Sequence, residues 1–332
     1  MTQLDFLAIG DVVIDAFIRL KDASVHCSVN NEACEICMRW GDKIPYESVT
    51  VVPAVGNAAN AAVSAARLGL TSALRAYVGA DQNGQDCLAS LMRDKVDTTF
   101  VEKVTGKNTN YHYVLWYDDN RTILVKHETF DYRVPSLATP PKWVYLSSLG
   151  ENSLPYHNAL VDQLRRWPET KLVFQPGTFQ MKMGKEALAD VYKRTEIFFC
   201  NKEEAERILD LPAGTDMKTL LQKIQALGPQ TVVITDDNRG SYALDQSGAA
   251  IHCPRYPDPR APFEITGAGD ALASGTTAAL ILKKSLGEAL MWGSANASGV
   301  LQEVGAQKGL PTREALEHNL QNPPASWTIE TL

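Results

Sequence analysis

Residues 264–275 read Glu-Ile-Thr-Gly-Ala-Gly-Asp-Ala-Leu-Ala-Ser-Gly, a turn of small residues running straight into an apolar stretch. The order Thr266-Gly267-Ala268-Gly269 places bare backbone N–H groups at a helix start. There they are unpaired and carry the positive end of the helix dipole. Glycines let an anion approach that backbone closely. Asp270 falls in the first turn, placed to take a proton from a hydroxyl that attacks a phosphoryl group. One short segment thus offers a general base and an anion hole. The same letters also describe an ordinary capped helix with Asp270 complementing the dipole.

Two further groups carry chemistry-bearing side chains. Asn201-Lys202-Glu203-Glu204 has the spacing of a capping box, with Asn201 as N-cap and Glu204 three residues on. His26-Cys27 followed by Cys34-Glu35-Ile36-Cys37 contains a Cys-x-x-Cys pair, half of a zinc knuckle. A structural Zn²⁺ there would draw on Cys27, Cys34 and Cys37, with His26, His112 or His127 completing the set. Reduced cysteines without metal are the other reading. All six cysteines, the remaining three being Cys87, Cys200 and Cys253, are expected reduced in a cytosolic chain.

These residues must be held by elements that the apolar pattern predicts. Phe6–Ile9, Leu74–Val78, Val144–Leu146, Leu172–Phe174, Ile197–Cys200 and Thr231–Ile234 read as buried strands. Helix-period stretches lie between them, at 57–69, at 84–95, from about Pro155, and from Lys202 to Leu209. Two long helices follow, over about 268–283 and 287–301. Alternating strands and helices predict an α/β fold with a mostly parallel sheet, whose ligands lie beyond the carboxyl ends of the strands. Two stretches depart from this rhythm, about 16–53 and 108–133. The second contains extended runs around Asp118-Asp119-Asn120, a hairpin signal. Together they are expected to form a small β-rich lid over the sheet edge.

The chain has 332 residues, 45% of them hydrophobic and 21% charged, which is ordinary globular composition. A formal net charge of −7 disfavours nucleic acid or an anionic membrane as partner. No apolar run approaches the roughly 18–20 residues of a membrane span, and the N-terminus lacks a signal-peptide pattern. A cytoplasmic protein is expected.

Thr266-Gly267-Ala268-Gly269-Asp270 resembles the signature of the ribokinase (PfkB) family of sugar and nucleoside kinases. The resemblance extends from about residue 4 to 320. Val55-Gly56-Asn57-Ala58-Ala59-Asn60 is similar to the family's Gly-Gly-x-x-x-Asn segment. The stretch from Gly10-Asp11 to Asp15 resembles the strand end whose aspartate holds sugar hydroxyls. Asn201-Lys202-Glu203-Glu204 resembles the Asn-x-x-Glu element, and Gly305-Ala306 with Leu310-Pro311-Thr312 the segment after the nucleotide site.

That resemblance implies a three-layer α/β/α sandwich over 1–332 with the lid as an excursion. It implies transfer of the γ-phosphoryl group of ATP to a sugar hydroxymethyl group, ribose and fructose being equally good acceptors. Asp270 would be the base, and the backbone at Gly267, Ala268 and Gly269 would stabilise the transferring group. Asp15, Gly56, Asn57 and Asn60 would meet the sugar. Asn201 and Glu204 would organise Mg²⁺ and phosphate, Glu204 on the metal side. Thr235, Gly240, Thr266 and Asn296 would line the nucleotide pocket. A homodimer through the lid is expected. A nucleoside kinase, and a silent sugar- or nucleotide-binding regulator, are the alternatives on the same fold.

Four positions depart from the family pattern. Val55 replaces the first glycine, which narrows the sugar pocket or shifts the backbone. Glu264 and Ile265 replace an aspartate and a small polar residue; that aspartate supports a K⁺ site in K⁺-activated members. Asp237 stands where the Thr-x-Gly-x-x-Gly nucleotide loop commonly has glycine.

Overall fold

Phe6 and Ala8 pack into one apolar core, and Leu7 and Ile9 into another. The same division runs through Tyr145 against Val144 and Leu146, Val173 against Leu172 and Phe174, and Val233 against Val232 and Ile234. A strand buried on both faces has no position for a polar residue, so it reads as a continuous apolar run. The computed structural model describes residues 3–27, 34–117, 120–258, 260, 265–321, 323 and 327–332.

The strands are β1 (Phe6–Ile9), β2 (Val13–Leu20), β3 (Ser24–Cys27), β4 (Cys34–Cys37), β5 (Tyr46–Val55), β6 (Ser72–Gly79), β7 (Val101–Val104) and β8 (Asn110–Tyr117). They continue with β9 (Asn120–Leu124), β10 (Trp143–Leu146), β11 (Lys171–Phe174), β12 (Ile197–Asn201), β13 (Thr231–Thr235), β14 (Ser241–Leu244), β15 (Ala250–Cys253) and β16 (Glu330–Thr331). The helices are α1 (Asn57–Arg67), α2 (Gln82–Arg93), α3 (Leu154–Arg166), α4 (Thr178–Met183), α5 (Ala189–Arg194), α6 (Lys202–Leu209), α7 (Met217–Gln225), α8 (Ala268–Ile281), α9 (Leu286–Val300) and α10 (Arg313–Gln321).

The large sheet has the order β16-β15-β14-β13-β12-β11-β10-β1-β6-β7. It is parallel from β13 to β7 and antiparallel from β13 outward to β16. Helices α1, α2, α8 and α9 cover one face, and α3, α5, α6 and α7 the other, giving three layers. Helices α8 and α9 are mostly buried and rich in small residues. A Cβ on Gly293 of α9 would lie 2.2 Å from Thr276 Oγ1 and 2.5 Å from Leu272 O of α8, so these helices meet backbone to backbone.

A four-stranded sheet of order β5-β2-β8-β9 stands apart from the large one. It begins at Val13, where β2 pairs with β5, and draws β8 and β9 from the later stretch. Asp118 and Asp119, the expected hairpin tip, lie outside the described residues.

Strands β3 and β4 form a separate hairpin with Cys27 opposite Cys34. That register brings their Cα atoms to 4.0 Å, and the two cysteines form a disulfide. The expectation of six reduced cysteines is therefore corrected: Cys37, Cys87, Cys200 and Cys253 are the thiols. The zinc reading loses its ligands with it. Cys27 and Cys34 bind each other, and His112 and His127 face one another instead. Among the described residues no group of three or more His, Cys, Asp or Glu side chains is arranged to hold a metal.

Candidate active site

The parallel strands end at one edge, and the chemistry-bearing residues collect there. Gly10-Asp11 follows β1, Gln175 follows β11, Asn201 ends β12 and Thr235 ends β13. Asn201 and Thr235 stand side by side in register.

Asp270 lies in the first turn of α8 and is 7% exposed. Gly267 is the N-cap with φ of 84°, and a Cβ there would fall 2.3 Å from Ala306 Cβ. Only glycine satisfies both the left-handed backbone and the contact with Ala306.

Three amide side chains converge on the Asp270 carboxylate. Asn57 Nδ2 donates to Oδ1 at 2.8 Å, Asn60 Nδ2 to Oδ2 at 2.8 Å, and Gln175 Nε2 to Oδ1 at 3.1 Å. Burial pushes the Asp270 carboxyl above the ordinary aspartate range, and the three amides draw it partly back. The result is a buried carboxylate whose oxygens are fixed in direction. Asn60 is itself oriented, because Gln307 Nε2 donates to Asn60 Oδ1 at 3.0 Å and to Ala54 O at 2.6 Å. Gln175 is oriented by the Tyr145 hydroxyl, which donates to Gln175 Oε1.

The sequence reading did not single out Gln175, Gln307 or Tyr145. Gln175 carried a usable signal, as the first residue beyond a central strand. Asn57 and Asn60, both expected against the sugar, each donate an amide N–H to Asp270.

Asn201 and Glu204 form the capping box. Asn201 Oδ1 accepts from the Glu204 N–H at 2.8 Å, and Glu204 Oε2 accepts from the Asn201 N–H at 2.9 Å. Burial raises the Glu204 carboxyl, and the charge of Asp270 adds to the rise. A part-buried carboxylate that feels the charge of buried Asp270 is a fitting environment for a divalent cation. Mg²⁺ retains waters and takes phosphate oxygens, so it does not need a cage of three protein ligands.

Gly240 has φ of 96°, and a Cβ there would sit 2.2 Å from Cys253 O. Asp237, in place of glycine, adopts φ of 40°. The loop after Thr235 thus keeps a left-handed turn and accepts a non-glycine residue to make it.

Asn296, expected at the nucleotide pocket, has its side chain fully buried between α1, α8 and α9, donating to Ser64 Oγ at 3.0 Å and Ala271 O at 2.7 Å, while its Oδ1 is buried with no hydrogen-bond partner. Glu264, whose role at a K⁺ site was in question, lies outside the described residues.

On the other side of Asp270, Gly56 caps α1 with φ of 110°, and a Cβ there would approach Asp11 O to 2.8 Å. Asp15 lies on β2, opposite His112 of β8. His112 Nδ1 is 3.3 Å from Asp15 Oδ1, within ion-pair reach without hydrogen-bond alignment. His112 Nε2 meets His127 Nε2 at 3.2 Å, and His127 Nδ1 stands 3.6 Å from Asp11 Oδ2. The Tyr132 hydroxyl donates to the Asp11 carboxylate at 2.9 Å. A cavity of about 320 Å³ opens beside this chain, lined by His127, Glu128, Thr129, Gly150, Glu151, Asn152 and Phe179.

An oriented buried carboxylate in the first turn of a helix suits phosphoryl transfer to a hydroxyl, which demands positioning and charge neutralisation. The chain is a phosphotransferase with an alcohol group as acceptor. Residues 36–313 match the pfkB family of carbohydrate kinases, and the chain belongs to that family. It is 24% identical over 277 residues to a ribokinase of Haemophilus influenzae, covering 79% of this chain and 87% of the relative. It is 26% identical over 282 residues to a nucleoside kinase of Methanocaldococcus jannaschii, covering 80% and 85%. The structure of Arabidopsis thaliana ribokinase complexed with ribose and ATP has the same fold, with a TM-score of 0.77 at 18% identity over 97% of this chain and 100% of that one.

Proposed function

We propose that the protein transfers the γ-phosphoryl group of ATP to the hydroxymethyl group of a pentose or hexose, with Asp270 as general base. The observation that carries this reading is the Asp270 carboxylate, buried at the start of α8 and held by Asn57, Asn60 and Gln175. The acceptor O–H gives its proton to Asp270 as its oxygen bonds the γ-phosphorus. The bond from that phosphorus to the bridging oxygen breaks, and ADP leaves. The backbone at Gly267, Ala268 and Gly269 would stabilise the charge that develops, the Ala268 N–H exchanging its bond to Ile265 O for one to the transferring group. Thr235, Gly240, Thr266 and Asn296 would border the nucleotide, and Asp15, Gly56, Asn57 and Asn60 the acceptor.

Glu204 and Asn201 would hold Mg²⁺ through water, and the ion would neutralise charge on the phosphate oxygens. The small sheet acts as a lid that excludes water, since an open site would hydrolyse ATP. Its outer surface supports a homodimer: Val51, Ala16, Tyr113 and Leu124 are aligned across the four strands, and Val51, Tyr113 and Leu124 are exposed. Among the described residues no helix is long and apolar enough to cross a membrane. We place the reaction in the cytoplasm, where ATP is supplied.

ADP release with Mg-ATP against pentoses, hexoses, their phosphates and nucleosides tests the reading. One strongly preferred free sugar is expected. A nucleoside as the preferred acceptor would assign the alternative substrate class. Ligand-dependent thermal stabilisation without turnover would assign a binding regulator.

A further inference from the structure

Gln175 follows β11, and its main chain is pinned on both sides. Its N–H donates to Leu146 O at 3.0 Å, and its carbonyl accepts from Ser147 Oγ at 2.9 Å. The side-chain amide is held in one orientation. Its Oε1 accepts from the hydroxyl of Tyr145, a fully buried residue, and its Nε2 donates to Asp270 Oδ1 at 3.1 Å. An ionised carboxylate only accepts, so the NH₂ end must face Asp270. That end has two hydrogens, and the second makes no hydrogen bond among the described residues. It lies beside Gly269, the second residue of α8. A Cβ built on Gly269 would find Gln175 Nε2 at 4.0 Å and, among the described residues, no other atom from outside its own helix and chain neighbours within that distance. The open space at Gly269 is thus bordered by a fixed donor with a hydrogen to spare. Gln175 makes the longest of the three bonds to Asp270, since Asn57 and Asn60 already hold one oxygen each at 2.8 Å.

We propose that Gln175 is a catalytic residue whose second Nε2 hydrogen is donated to an oxygen of the transferring phosphoryl group while the first holds Asp270. This rests on the phosphotransferase reading above. One amide then serves the base and the charge that develops on the phosphoryl group. A neutral donor suits this place. A lysine or arginine there would also attract phosphoryl oxygens, but its charge would stabilise the Asp270 anion and weaken it as a base. Tyr145 keeps the NH₂ end forward, so the donor is in position before charge develops.

The test compares wild type, Gln175→Met, Gln175→Asn, Asn57→Ala and Asp270→Asn with the preferred acceptor of the panel. Asn57→Ala is the matched control, because Asn57 donates to the same Asp270 oxygen as Gln175. Loss of either bond raises the Asp270 carboxyl, so the acid limb of the rate profile moves to higher pH in both variants. The proposal is read above that limb, at saturating substrates. There Gln175→Met is expected to lower kcat by about 100-fold, with KM for Mg-ATP moving less than about threefold, and Asn57→Ala to lower it by less than about tenfold. Gln175→Asn falls short of the phosphoryl group and is expected to match methionine; if one of the two fails to fold, the other carries the comparison. Equal plateau losses in the Gln175 and Asn57 variants would overturn the proposal and leave Gln175 as a positioning residue. Turnover in wild type that disappears in Asp270→Asn upholds the kinase reading whatever Gln175 does. Thermal stabilisation by Mg-ADP with fluoroaluminate, beyond that by Mg-ADP alone, reads the phosphoryl contact without turnover. Its loss in Gln175→Met and retention in Asn57→Ala support the proposal, and its retention in both overturns it.

Discussion

Asn60 Nδ2 donates to Asp270 Oδ2 at 2.8 Å, joining the first helix of the fold to the eighth. Gln307 holds Asn60 by its oxygen, so the amide can only present its N–H groups to the carboxylate. Removing this bond should leave Asp270 buried but less stabilised as an anion. Asn60→Ala is expected to raise the Asp270 carboxyl further, because one of the hydrogen bonds that lower it is gone. The acid limb of the kcat/KM profile should then move to higher pH. An unchanged limb would separate Asn60 from the base.

Asp270 also makes a stability prediction. Its carboxyl is raised in the folded state, so the folded protein holds the proton to higher pH than the unfolded chain does. Stability is therefore lost as pH rises from the unfolded value through the folded one. Asp270→Asn removes the buried carboxylate charge whose burial raises the group. The variant is expected to melt at a higher temperature than wild type at pH 7, with the difference fading in acid, while losing about 10²–10⁴ in kcat. Melting curves at two pH values check the sign.

Glu204 separates cap from metal site. Glu204→Gln keeps an oxygen for the Asn201 N–H and removes the charge, so stability should hold or rise. The Mg²⁺ concentration for half-maximal rate should increase. Glu204→Ala removes the capping oxygen as well and should cost about 1 kcal/mol of stability. A glutamine variant with unchanged Mg²⁺ dependence would leave Glu204 as a cap alone.

Asp15 and His112 face each other across β2 and β8. Asp15→Ala is expected to raise acceptor KM by about 10–100-fold, the value of one hydrogen bond to a charged group. KM for Mg-ATP should stay nearly constant. Parallel changes in both constants would place Asp15 away from the acceptor.

The buried parallel strands were legible because a strand covered on both faces is a continuous apolar run, as Phe6–Ile9 and Thr231–Ile234 show. The Thr266–Asp270 turn was legible because its chemistry is contiguous. Gln175 and Gln307 were not, since they reach Asp270 and Asn60 across 95 and 247 residues. The contacts of Asn296 with α1 and α8 were not legible, because α9 is mostly buried and carries little amphipathic pattern to say which side meets which neighbour. The Cys27–Cys34 bond depends on a hairpin register that spacing alone does not set.

The most direct test of the central claim is transfer of labelled γ-phosphate from ATP to the preferred acceptor by wild type and Asp270→Asn, followed in a single turnover. The account predicts a phosphorylated sugar formed by wild type and a rate lower by about 10²–10⁴ in the variant, with both proteins binding Mg-ATP. Equal transfer rates would contradict it, because the proton would then leave the acceptor by a route that does not involve Asp270.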